Sequence, residues 1–157
     1  MKSHRRQESQ IKARAEGQLA AQSRRLASNL SSRPNRITGD QIQHLIAPLT
    51  TALLAFRMDT AGTTHYHDLA AGLTVAFYTA SRVQRHQHTL PYLQAGLNAL
   101  TAVFERAAGS DEYRAAPEEI SAVETAVEVY RSLLHVTSWA FLRRAISDAM
   151  PASWPAS

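Results

Sequence analysis

The chain has 157 residues, with 17 Lys and Arg against 13 Asp and Glu, 45% apolar residues and no cysteine. That composition excludes disulfides and thiolate metal sites and allows one modest core with an appendage. No apolar run approaches the roughly 18 residues that span a bilayer, and the charged N-terminus lacks the apolar stretch of a secretory signal, so a cytoplasmic protein is expected.

The first element is a basic leader. Residues 1–36 carry Lys2, Arg5, Arg6, Lys12, Arg14, Arg24, Arg25, Arg33 and Arg36 against Glu8 and Glu16, a net of +7. Residues 37–157 carry eight Arg and eleven acids, a net of −3. This asymmetry predicts a cationic arm attached to a packed domain. Ile11, Leu19, Leu26 and Leu30 give residues 7–30 a thin helical stripe, weakened by Gly17, which implies partial order. Ser31–Asn35 reads as a linker.

Four helices follow. Thr38-Gly39-Asp40-Gln41 has the spacing of a capping box, and Ile42, Leu45, Ile46, Leu49, Leu53 and Phe56 continue at helical period. Pro48 inside this run predicts a kink near Leu45 or a break. Thr63 or Thr64 caps a second helix over roughly 65–85, apolar on most sides and hence central. Pro91 starts a third, with a stripe of Leu90, Leu93, Leu97, Leu100 and Phe104, ended by Gly109-Ser110-Asp111. Pro117-Glu118-Glu119 opens a fourth. One seam is Ile120, Val123, Val127, Tyr130, Leu134, Thr137 and Phe141; a second is Ala126, Val129, Leu133, Val136 and Ala140. At about 30 residues, or roughly 45 Å, this helix outruns the others and must overhang, kink or meet something else. The expected fold is therefore all-α: an up-and-down bundle of about four helices over residues 37–150, a basic arm over 1–36 and a tail over 151–157.

The candidate chemistry is sparse. His65 and His67 lie about 20 residues, or roughly 30 Å along one helix, from His86 and His88. They cannot share one ion, and His44 adds at most a second ligand at one end. No Gly-rich phosphate loop, nucleophile elbow or oriented acid–base pair occurs. The expectation is no enzyme, no metal and no cofactor. Nucleic acid is a candidate partner through the leader's nine cations, joined by Arg82 and Arg85, although no helix-turn-helix spacing is present. A protein partner is the alternative, through Val129, Leu133, Val136, Trp139 and Leu142 on the wide apolar surface of the last helix. Self-association there would give a two-fold dimer. The acids at 111, 112, 118, 119, 124 and 128 suit a partner with a basic channel.

Residues 37–148 also resemble a group of small helical proteins of proteobacterial chromosomes, plasmids and prophages, often labelled Fis-family transcriptional regulators. The resemblance is carried by Ile37-Thr38-Gly39-Asp40-Gln41-Ile42 with Pro48 and Leu49, by His67-Asp68-Leu69-Ala70 with Thr74-Val75-Ala76, by Pro91, Ala95, Ala99 and Leu100, and by Glu105-Arg106-Ala107. It implies an all-α fold in a phage or mobile-element setting and no catalytic residue. Together these features lead us to expect a non-catalytic accessory protein that binds macromolecules. It would act as a nucleic-acid-contacting regulator or, alternatively, as an inhibitor or adaptor of a host protein complex.

Overall fold

The computed structural model describes Arg14 and residues 36–149. The rest of the leader, including most of its expected helix and the Ser31–Asn35 linker, lies outside the described residues, as does everything from Met150 onward. The body begins at Arg36 as a unit of its own. Its described residues form α1 (Gly39–Arg57), α2 (Thr63–Ser81), α3 (Leu90–Ala107), α4 (Pro117–Val136) and α5 (Trp139–Ala149), with a 3-10 helix at Gln84–Thr89. The fold is all-α, with five helices among these residues where the sequence pattern gives four.

α1 starts at a complete capping box. The Gln41 amide N–H donates to Thr38 Oγ1 at 3.3 Å, and Thr38 N–H donates to Gln41 Oε1 at 2.8 Å. The helix runs unbroken through Pro48. Pro48 and His44, whose carbonyl loses its helical donor, are both exposed residues, where water can replace the missing bond.

α2 packs against every other helix of the body. Two glycines let its neighbours approach. A Cβ on Gly72 would lie 2.7 Å from a Leu49 methyl of α1, and one on Gly96 of α3 would lie 2.5 Å from Ala126 Cβ of α4. The core between them contains Ile46, Leu69, Leu73, Leu93, Leu134 and Leu142, all essentially without exposure. α3 is turned slightly from its expected stripe. Leu93, Gly96, Leu100 and Val103 are its buried face, whereas Phe104 is half exposed.

The single long closing helix is corrected to two. Thr137 is extended (φ −102°, ψ 141°), and its hydroxyl donates to Leu133 O at 2.5 Å, ending α4. Ser138 then caps α5 by accepting from Phe141 N–H at 3.2 Å. The break folds the surplus length back onto α2, which resolves the expected overhang.

Candidate partner-binding groove

α3 and α4 are antiparallel. The end of α3 meets the start of α4 through Arg106 Nη1 and Glu119 Oε1 at 2.7 Å, and the middles touch at Gly96 and Ala126. The start of α3 therefore lies beside the last turns of α4. The 3-10 helix leads into that start and is held by His86 N–H donating to Val83 O at 2.8 Å and the Thr89 hydroxyl donating to His86 O at 2.6 Å.

Between these segments lies an open groove of about 480 Å³. Its floor and apolar walls are Val129, Leu133, Val136 and Tyr92; Thr89, Thr125, Glu128, Ser132, His86 and His88 supply the polar edge. Val136 and Tyr92 are 51% and 54% exposed, large apolar side chains left in water. Burial holds the His86 imidazole below its usual range, and Arg85 and His88 add to that effect. The groove's hydroxyls are committed to backbone. Thr125 donates to Ser121 O at 3.0 Å, Ser132 to Glu128 O at 3.0 Å, and Thr89 as above. Among the described residues none of these hydroxyls donates to a base.

Five residues of the closing helix were candidates for a partner interface, and the structure separates them. Val129, Leu133 and Val136 line the groove. Leu142 has no exposure and belongs to the core, a correction that follows from α5 folding onto α2. Leu133 is also almost fully buried and offers a floor rather than a knob. Trp139 is half-buried against the core, and its indole N–H donates to Gln41 Oε1 at 2.9 Å. It ties α5 to the start of α1, where Arg36 forms an isolated antiparallel bridge with Ser138.

Of the candidate nucleic-acid contacts, Lys2, Arg5, Arg6, Lys12, Arg24, Arg25 and Arg33 lie outside the described residues; Arg14 and Arg36 are exposed. Arg82 pairs with Asp148, clamping the end of α5 to the end of α2, so its charge is already partnered. Arg85 is exposed and has no ion-pair partner among the described residues. Much of the acidic cluster is likewise partnered within the chain. Glu119 is held below the usual carboxylate range by its hydrogen bond from Arg106, and Glu124 pairs with Arg57. Asp111 accepts from Thr63 N–H at 2.7 Å and from its hydroxyl at 2.5 Å. That carboxylate caps α2 from across the fold, a role expected of Thr63 or Thr64, and these bonds lower its pKa.

His65 accepts from Gly62 N–H at 3.0 Å and serves the same helix start. Among the described residues no three His, Cys, Asp or Glu side chains are placed to hold a metal ion. A second depression of about 300 Å³ runs along α2 between Tyr66, Phe104 and Ala149. It is largely apolar and reaches the last described residue.

Signals for the groove existed in the chain. Tyr92 directly follows Pro91 in the first turn of α3, and the surface row Thr125, Val129, Ser132 and Val136 steps by 4, 3 and 4. No protein-family model matches the chain, no curated protein is similar to it, and no solved structure resembles it. No described helix is long and apolar enough to cross a membrane.

Proposed function

We propose that this chain is a non-catalytic accessory protein of phage or mobile-element type that works by binding macromolecules, with its body recognising a protein surface through the groove between the 3-10 helix and α4. The observation that carries this reading is the pair Tyr92 and Val136, exposed on either side of a mostly apolar floor. Protein interfaces use aromatic and aliphatic anchors at a desolvated centre with a polar rim around it. The groove's hydroxyls, bonded to helix carbonyls, support contact over catalysis.

The leader adds a second, less selective contact. Its net charge of +7 suits phosphate neutralisation and counterion release, which give salt-sensitive affinity for nucleic acid without sequence preference. Division of labour follows: the leader attracts, the groove selects.

One paired experiment tests both parts. The full chain and Val136→Asp are used to capture partners from nuclease-treated lysate, and binding of each to duplex DNA is titrated against salt. Val136→Asp is expected to keep its helical circular dichroism, lose protein capture and retain DNA affinity. Removal of residues 1–35 is expected to abolish the salt-dependent DNA affinity. Protein capture indifferent to Val136→Asp would contradict the groove assignment, and DNA affinity that survives loss of the leader would contradict the leader's role.

A further inference from the structure

The depression along α2 has walls from Tyr66, Ala70, Ala71 and Val75 of α2 and from Phe104 of α3, and Ala149, the last described residue, lies at its rim. Tyr66 stacks on Phe104 at a ring-centroid distance of 5.1 Å and on Tyr113 at 5.4 Å. Phe104 is nevertheless 50% exposed, so the aromatic stack ends in a ring that meets water. Among the described residues no Asp, Glu, Lys or Arg lines the depression, and the Thr74 hydroxyl already donates to Ala70 O at 2.6 Å. The surface therefore suits an apolar, uncharged occupant with an aromatic ring. Asp148 pairs with Arg82 just beyond α2, so its neighbour Ala149 stands toward the Val75 end and the aromatic pair marks the other. Nine residues of α2 separate those ends, about 13–14 Å at 1.5 Å per residue.

The chain itself supplies a segment of that chemistry and length. After Ala149 it reads Met150-Pro151-Ala152-Ser153-Trp154-Pro155-Ala156-Ser157. Proline disfavours helix at the residue before it, so extended backbone is the expected course from Met150 onward. Five extended residues from Ala149 reach about 16 Å, which carries Trp154 the length of the depression to Phe104. Residues 150–157 include no Asp, Glu, Lys, Arg or His, so no charged side chain is desolvated on docking. An indole against the Phe104 ring adds aromatic contact to apolar burial. The covalent tether at the rim gives this segment a high effective concentration, an advantage that no separate partner of the same chemistry shares.

We propose that the α2 depression is the docking site of residues 150–157 of this same chain, with Trp154 seated against Phe104 and Tyr66. The seat holds the end of α5 to α2 and α3. It is distinct from the groove at α4 and does not depend on how that groove is read.

Fluorine NMR of the full chain labelled with 5-fluorotryptophan tests it, with the Trp154 resonance assigned as the one lost in Trp154→Phe. That resonance is expected to lie away from its position in the urea-unfolded chain. Ala71→Arg and Phe104→Ala, both at exposed positions of the depression, are expected to return it to the unfolded position while helical circular dichroism is kept. Trp154→Ala is expected to lower the thermal midpoint by about 4 °C. The double variant Ala71→Arg/Trp154→Ala is expected to fall no further than the larger single change, because both remove one contact. A wild-type Trp154 resonance at the unfolded position overturns the proposal, as does one that stays displaced in both depression variants. A displaced resonance that returns to the unfolded position on dilution would put a second copy's segment in the depression and overturn docking within one chain.

Discussion

Tyr130 faces the core from α4, and burial pushes its phenol up to about 12. The unfolded chain ionises this group near pH 10, so the folded state keeps its full advantage below that value and loses it as pH rises toward 12. The loss by pH 12 is about 2–3 kcal/mol. Urea unfolding between pH 9 and 12, compared with Tyr130→Phe, checks this: the wild type is expected to lose stability more steeply above about pH 10, and equal slopes would mean that the phenol reaches water. At this scale the sequence is informative where a residue's role is local. Thr38 and Gln41 sit three apart before an apolar run and cap α1 as that spacing requires. It is uninformative where the role depends on a distant partner. Asp111 stands 48 positions from the Thr63 it caps, and Gly96 is small because Ala126 of another helix lies against it.

At the scale of elements, the four expected runs are present and the central place of α2 follows from its apolar breadth. The break at Thr137 and Ser138 is the difference. Thr137 continues the seven-residue seam of α4, so periodicity alone carries the helix through it. The competing signal is the Ser138 hydroxyl, positioned to cap Trp139-Ala140-Phe141. Tertiary contact decides the outcome, because α5 gains the surface of α2 only if the chain bends there. Gln41 joins these elements: one oxygen accepts from both Thr38 N–H and the Trp139 indole. Gln41→Ala is expected to cost about 1–2 kcal/mol in urea unfolding, with Gln41→Glu retaining most of it through the same acceptor. An alanine variant as stable as the wild type would mean that water serves both donors.

For the whole molecule, the groove could not be read from any single segment. It needs the 3-10 helix, which continues past the expected end of the second helix, the first turn of α3, and the outer row of α4, rotated from the seam that meets the core. Of the apolar residues expected to meet a partner, those before the break remain at the groove, and those after it are drawn inward: Leu142 into the core and Trp139 against Gln41. The leader's charge was plain in composition, whereas the surface that would supply selectivity required three segments to meet. Hydrogen exchange of the full chain, alone and with the protein it captures from nuclease-treated lysate, probes that surface most directly. Slower exchange in the complex is expected in peptides covering residues 84–92 and 125–136, with α1 unchanged. Exchange at the groove that does not change in the complex, or slowing confined to other helices, would contradict it.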